Sequence, residues 1–567
     1  GELKLSKPIA WQEKDGKRLP VEVSYKLLGK NRYSFVVAKA DPSLPIVIDP
    51  ILQSTYLGGG GGDEANAVVI HPTTGEIYVA GYTTSTNFPG TAGGASPTIS
   101  RFLGTGDAFV AKLNKELTQI LQSTYLGGRF DDAAHALAVH PKTGDVYVAG
   151  WTTSDNFPKT DGGAQARNGG DWDIFVARLN NDLTQIIQST YLGGGGQEGV
   201  RDITIHPTTG EVYVAGRTKS TNFPKTTGGA QGRYSGDWDA FVTRLNADLT
   251  QIIQSTYLGG SYEDTANALA IHPTTGEVYV AGYTYSTNFP KTTGGAQATQ
   301  TAGRVQAKPV SNSDAFVARL NKELTQILQA TYLGGSGWDQ AYTLAIHPTM
   351  GEVYVAGYTN SNDFPKTDGG AHVSISGNSD AFVARLNKEL TQILQSTYLG
   401  GGNEDYATDL TIHPQTGEIY VAGITLSSDF PKTDGGAQER NGGVFDAFVA
   451  KLNSDLTQIL QSTYLGGNGT DRANALAIHP QTGEVYVAGK TESRDFPKTT
   501  GGAQASKSGG SDAFVARLTA DLAAGRSSGG GGGYYTTGSV SSMTSAWNIL
   551  LLLSVPAFVL ARSIRKR

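Results

Sequence analysis

The chain has 567 residues, no cysteine, 17% charged residues and a formal net charge of −6. Without cysteine there are no disulfides, no thiol catalysis, no Cys-ligated zinc and no iron–sulfur cluster. A mildly acidic balance without a basic stripe gives no support to nucleic-acid binding, and 74 glycines against 22 prolines point to many tight turns between short strands.

In chain order, residues 1–50 come first. Segments 21–28 and 33–37 read as strands, followed by Pro45-Ile46-Val47-Ile48-Asp49-Pro50. The chain begins at Gly1, so a removed leader or a longer N-terminal region is expected before it. Apolar and polar residues alternate in Val21-Glu22-Val23-Ser24-Tyr25, so one face needs cover. Fifty residues without a cysteine are marginal as an independent core.

Residues 51–518 are an internal repeat. The phrase Ser-Thr-Tyr-Leu-Gly-Gly, once Ala-Thr-Tyr-Leu-Gly-Gly, recurs with its tyrosines at Tyr56, Tyr125, Tyr191, Tyr257, Tyr332, Tyr398 and Tyr464. The spacings are 69, 66, 66, 75, 66 and 66 residues, long enough for several strands per unit. One unit holds four strand-like runs. They are Ala268-Leu269-Ala270-Ile271-His272, Glu277-Val278-Tyr279-Val280-Ala281-Gly282, a run from Asp314 to Leu320, and a run from Thr325 to Leu333. His272-Pro273-Thr274-Thr275-Gly276 joins the first two as a tight turn. Propensity also allows a helix over 321–329, but that segment must lead straight into the Thr-Tyr-Leu run.

Four antiparallel strands repeated seven times predict an all-β fold, a seven-bladed β-propeller. The array opens on a lone fourth strand at 51–57 and ends on a third strand at 512–518. The N-terminal strand is therefore expected to complete the last blade and close the ring, which removes exposed edges.

These units resemble the bacterial propeller repeat known as SBBP. Its pattern combines the Ser-Thr-Tyr-Leu-Gly-Gly phrase, an Ala-x-Ala-x-Asp strand, a Val-Tyr-Val-x-Gly strand, an Asn-Phe-Pro phrase (here Asn288-Phe289-Pro290) and an Asp-Ala-Phe-Val strand. One departure is systematic: where the family has Asp at the end of the first strand, this chain has His in all seven units. The resemblance implies a propeller on a secreted or surface protein and no known activity. Residues 1–50 are similar to the end of a β-rich domain of unknown function that often precedes such repeats.

Residues 519–542 read as a Gly/Ser-rich linker, and 543–567 as a transmembrane or sorting tail. The 19 apolar residues 543–561 would span about 28 Å as a helix, kinked at Pro556. Arg562, Arg565, Lys566 and Arg567 would stay cytoplasmic and leave the propeller outside. The Gly run, apolar helix and basic end resemble C-terminal sorting signals of bacterial surface proteins, although no Pro-Glu-Pro or Leu-Pro-x-Thr-Gly signature is present.

Three groups of residues invite chemistry. His71, His140, His206, His272, His347, His413 and His479 share one repeat position. They are read as turn residues facing a neighbouring blade rather than as a metal ring, because zinc–nitrogen distances are near 2 Å. Asp63, Asp132, Glu198, Asp264, Asp339, Asp405 and Asp471 form a carboxylate ring after the Gly-Gly turn. A second ring, Asp107, Asp173, Asp239, Asp314, Asp380, Asp446 and Asp512, opens the third strand on the same face. Such carboxylates could serve glycoside hydrolysis, ligate calcium, the single cofactor considered, or accept backbone N–H bonds in their own turns. Recurrence in every blade favours the last reading, since chemistry needs a unique residue.

Trp151, Trp172, Trp238 and Trp338 do not recur in every blade, and Trp172 and Trp238 fall in the connection between second and third strands, the most variable one. They are the candidate ligand surface, suited to stacking on a sugar ring, unless they pack beneath their own loops. No Walker loop or His-Glu-x-x-His is present. The expectation is a non-enzymatic extracellular or cell-surface module for structure, adhesion or self-assembly. Its partner would be a surface protein or a glycan, and its anchor the C-terminal tail in the membrane. A carbohydrate-binding module is the alternative, and a polysaccharide hydrolase or lyase the third. Residues 1–50 could also be covered by a neighbouring chain, and a head-to-tail contact that does not close would give a homo-polymer.

Overall fold

The computed structural model describes residues 10–14, 17–29, 32–38, 40–41, 46–48, 51–100, 105–301, 312–523, 525–527 and 535–539. It divides into two units, Asp49–Gly525 and the smaller Gly1–Ile48 with Arg526–Arg567.

The larger unit is a seven-bladed propeller of four-stranded antiparallel sheets. In the first blade the strands are Asp63–Ile70, Ile77–Thr83, Asp107–Leu113 and Ile120–Leu126, hydrogen-bonded in chain order. A blade is covered on both faces by its neighbours. Its middle strands are therefore buried nearly throughout, which is why they read as continuous apolar runs such as Ile77-Tyr78-Val79-Ala80. Each hydrophobic cluster draws on adjacent blades; one joins Leu57, Phe88 and Phe109 to Tyr486 and Val515.

Local chemistry sets the turns. At the first hairpin Gly75 takes φ +73° and its N–H donates to the His71 carbonyl at 3.0 Å. Between the third and fourth strands, Asn321 Oδ1 accepts from the N–H groups of Thr325 and Gln326 at 2.9 Å each. That Asx turn replaces the helical alternative, and the strand begins at Ile327. Leu324, the turn's apex, is buried in the left-handed region at φ 60°.

The first strand is longer than its apolar run. In the fourth blade it covers Asp264–Ile271, with a register shift between Ala266 and Ala268 that leaves Asn267 bulged. The bulge breaks the period-2 alternation, which hides the strand's first half from a reading of pattern alone.

Ring closure is as expected. Ile51–Leu57 pairs antiparallel with Asp512–Leu518 as the outermost strand of the last blade. Tyr56 Oη donates to the Ser493 carbonyl at 3.0 Å and accepts from Phe496 N–H at 3.2 Å. Every other blade repeats this link between the tyrosine of the fourth strand and the loop before its own Phe-Pro.

The smaller unit is a six-stranded sheet ordered Gly525–Ser527, Ile46–Ile48, Ala10–Lys14, Lys17–Gly29, Arg32–Ala38 and Tyr535–Ser539. The segment expected to be a linker thus contributes both edge strands, and the edges of the N-terminal hairpin are paired within the same chain. Gln12 is buried and exchanges two hydrogen bonds with the Asp41 backbone, at 2.6 and 2.8 Å. The apolar stretch 543–561 and the basic end lie outside the described residues. Among the described residues no helix is long and apolar enough to cross a membrane.

Candidate functional site

The connections from second to third strand and from one blade to the next share one face. There Gly62 N–H donates to Thr84 Oγ1 at 2.7 Å. The two short hairpin turns share the opposite face, where the turn at Gly75 meets Lys115. The seven histidines lie on that second face. His71 Nδ1 accepts from Thr73 and Thr74 N–H at 3.2 Å. Its Nε2 points at Gly144 of the next blade, 2.8 Å from where a Cβ would stand. Burial lowers its pKa, and the same contact runs around the whole array. These imidazoles are spacers between blades.

The carboxylates lie on the loop-bearing face and are buried. Asp132 Oδ2 accepts from Gly128 N–H at 2.7 Å and Ser154 Oγ at 2.9 Å. Asp63, Asp264, Asp339, Asp405 and Asp471 repeat the pattern, and Glu198 does so with the longer side chain. Thr83 Oγ1 adds a further hydrogen bond to Asp63. The second ring binds its own loops, as when Asp173 accepts from Gly169 N–H at 2.7 Å.

The two rings meet in pairs at the blade joints, across the first glycine of each Gly-Gly turn. A Cβ on Gly193 would stand 2.5 Å from both Asp173 Oδ1 and Glu198 Oε2. One on Gly466 would stand 2.6 Å from Asp446 Oδ1 and 2.8 Å from Asp471 Oδ2. Burial pushes these carboxyls upward, Asp132, Asp264, Asp405 and Asp446 to about 7 and Asp339 to about 6. Asp173 is raised by burial and by the negative charge of Glu198. Calcium takes six to eight oxygens, and each joint brings two carboxylates. Among the described residues no group of three or more His, Cys, Asp or Glu is placed to hold a metal ion.

The tryptophans share the loop-bearing face but form no single cluster. Trp151 and Trp172 stack, with ring centroids 5.2 Å apart and an interplanar angle of 13°. Trp172 remains 47% exposed, so its outer face is open. Trp238 lies beneath the Arg217 guanidinium at 4.4 Å and the Lys219 ammonium at 4.7 Å. Trp338 is 43% exposed, and its indole N–H donates to Asn312 Oδ1 at 2.5 Å.

Sequence reasoning missed a belt of residues beside them. At the loop-bearing end of the second strand the seven copies hold Tyr82, Trp151, Arg217, Tyr283, Tyr358, Ile424 and Lys490. Each faces an equally varied partner on the first strand, as Tyr283 faces Thr265 and Lys490 faces Arg472. Tyr358 packs on Tyr342 at 5.8 Å and on Tyr406 of the next blade at 5.2 Å. Glu263 accepts from Arg217 and from Tyr283 Oη, both at 3.0 Å. Superposing the seven repeats column by column would have exposed this belt, because the positions on either side are nearly invariant among blades.

Comparison with known proteins places residues 1–51 in the family described as a domain of unknown function, DUF7948. The chain is 25% identical over 293 residues to the regulatory protein FlaEY of Caulobacter vibrioides, a match covering 50% of this chain and 28% of that one. The chain thus spans well under a third of that relative's length. Among solved structures, Sqt1 of Chaetomium thermophilum covers 83% of this chain and 98% of its own, at 10% identity and a TM-score of 0.39. Raptor of the same organism covers 83% of this chain and 29% of its own, at 9% identity and a TM-score of 0.43.

Proposed function

We propose that this chain is a non-enzymatic binding module of the cell surface, whose loop-bearing face engages an extracellular partner. The supporting observation is where the blades differ. Core, turn, histidine and carboxylate positions recur nearly unchanged, and divergence collects on one face in aromatic and charged side chains. A scaffold needs equal blades to close a ring. Recognition of an asymmetric partner needs unequal ones. The similarity to SBBP repeats and the apolar, basic C-terminus support display outside the cell, anchored through 543–567. The relative's name as a regulatory protein also fits a role in binding rather than turnover.

The open outer face of Trp172 favours carbohydrate as the partner, because an exposed indole offers a flat apolar surface to a sugar ring. Glycan-array binding by the full chain, compared with a Trp172→Ala/Trp238→Ala double variant, tests this. Binding by the parent that the variant loses supports the carbohydrate reading. A blank array for the parent rejects it and leaves a protein partner.

A further inference from the structure

The bulge of each first strand sends one side chain toward the propeller axis, where adjacent first strands approach one another. In four blades that side chain donates to a main-chain carbonyl of the next first strand. Asn66 reaches Ala134, Asn267 reaches Ala341, Thr408 reaches Ala473 and Asn474 reaches Ala65, each at 2.8 Å. These bonds tie the axial edge together.

Blades two, three and five break the pattern with His135, Arg201 and Tyr342. Neither His135 nor Arg201 has a hydrogen-bond or ion-pair partner among the described residues. The carboxylates close by are already engaged. Asp202 accepts from the N–H groups of Ile203 at 2.7 Å and Leu269 at 2.8 Å, and Glu263 holds Arg217. Arg201 keeps access to solvent although protein surrounds it, as expected of a side chain in a channel. Enclosure, and then the like charge of Arg217, lower its pKa. Tyr283 and Tyr342 are the tyrosines within electrostatic range of it. Tyr342 Oη donates only a long 3.3 Å bond to Gln340 and can turn to another acceptor.

We propose that the axial channel carries an oxyanion site centred on the Arg201 guanidinium, with His135 and Tyr342 as further donors, for the carboxylate, sulfate or phosphate group of an acidic ligand. A guanidinium offers five N–H donors in a planar fork that matches such groups, and none of the five bonds to another of the described residues. The site's positive charge excludes a metal cation. The proposal stands whether or not the tryptophan face binds carbohydrate, since it rests on different residues.

Thermal unfolding of the full chain with sodium glucuronate, sodium sulfate or uncharged glucose tests it, in the parent and in Arg201→Gln, Arg201→Lys and Arg167→Gln. Arg167 is an exposed loop arginine and serves as the control. We expect glucuronate or sulfate, but not glucose, to raise the parent's midpoint. Arg201→Gln should abolish the rise, Arg201→Lys should weaken it several-fold, and Arg167→Gln should leave it intact. A larger rise with glucuronate identifies a carboxylate, and one with sulfate identifies a sulfate or phosphate ester. No rise in the parent, or an equal rise in Arg201→Gln, overturns the site. Should Arg201→Gln fail to fold, an unchanged response in Arg201→Lys overturns it equally.

Discussion

His479 of the last blade seats its imidazole Nε2 against Gly75 of the first, 2.8 Å from where a Cβ on that glycine would stand. It is the same contact that His71 makes with Gly144 and His413 with Gly483, now closing the circle. Gly75 is required twice over, by the ring pressed on it and by its φ of +73°. Gly75→Ala should cost about 2 kcal/mol, from backbone strain plus overpacking. Gly93→Ala, at φ +83° with only Gln122 Oε1 nearby at 3.6 Å, should cost about 1 kcal/mol. Urea unfolding of the two variants checks the difference; equal losses would mean that the histidine contact contributes nothing.

Closure by the N-terminal strand gives a graded pair of variants. Tyr56→Phe leaves the buried Phe496 N–H and Ser493 carbonyl without the hydroxyl, and should cost about 1–3 kcal/mol. Deleting residues 1–57 removes the whole strand and exposes Asp512–Leu518 as an unpaired edge. That variant should lose a single cooperative transition, and hydrogen exchange should show the 512–518 amides that faced the deleted strand unprotected, while those facing 485–491 stay bonded. Protection equal to that of the parent would refute closure through this strand.

The joint carboxylates should make stability pH-dependent in a defined direction. Burial holds Asp132 at about 7, against roughly 3.9 in an unfolded chain. The folded state therefore keeps a proton that the unfolded state releases. The associated stability is present below about pH 4 and is lost as pH rises to about 7. Asp132→Asn keeps a neutral group that still accepts from Gly128 N–H and Ser154 Oγ. Its stability relative to the parent should rise across that window and then level off. Buried histidines such as His140, whose pKa burial lowers, give the opposite slope, but equally in both chains, so the difference isolates Asp132. Urea midpoints at pH 4.5 and 8 measure it, and a flat difference would refute a buried proton.

Surface display makes its own prediction. Residues 529–567 fused to a soluble secreted reporter should send it to the membrane fraction. A chain lacking them should be released as folded propeller. A tail-less chain that stays cell-bound would place the anchor elsewhere.

Blade number, strand type and the closing offset were legible in the sequence, because each depends on local pattern. A fixed period, alternating β-branched and aromatic residues, and turn residues such as His272-Pro273 and Gly276 specify a blade without reference to its neighbours. The histidines' orientation toward the neighbouring blade followed too, since strand side chains alternate between faces. The left-handed Leu117, buried at φ 59°, could not be read, because a leucine there is favoured only by the cavity it fills. Nor could the pairing of Asp173 with Glu198, or the edge strands that 525–527 and 535–539 add to the N-terminal sheet. Those contacts join residues of different blades or distant segments. The bulge is the sharpest case: one extra residue per first strand changes the phase of the side chains and turns Arg201 toward the axis. In sequence Arg201 is one more charged residue beside Asp202. Only the closed ring, which gives Asp202 and Glu263 other hydrogen-bond partners, leaves its guanidinium without an ion-pair partner among the described residues.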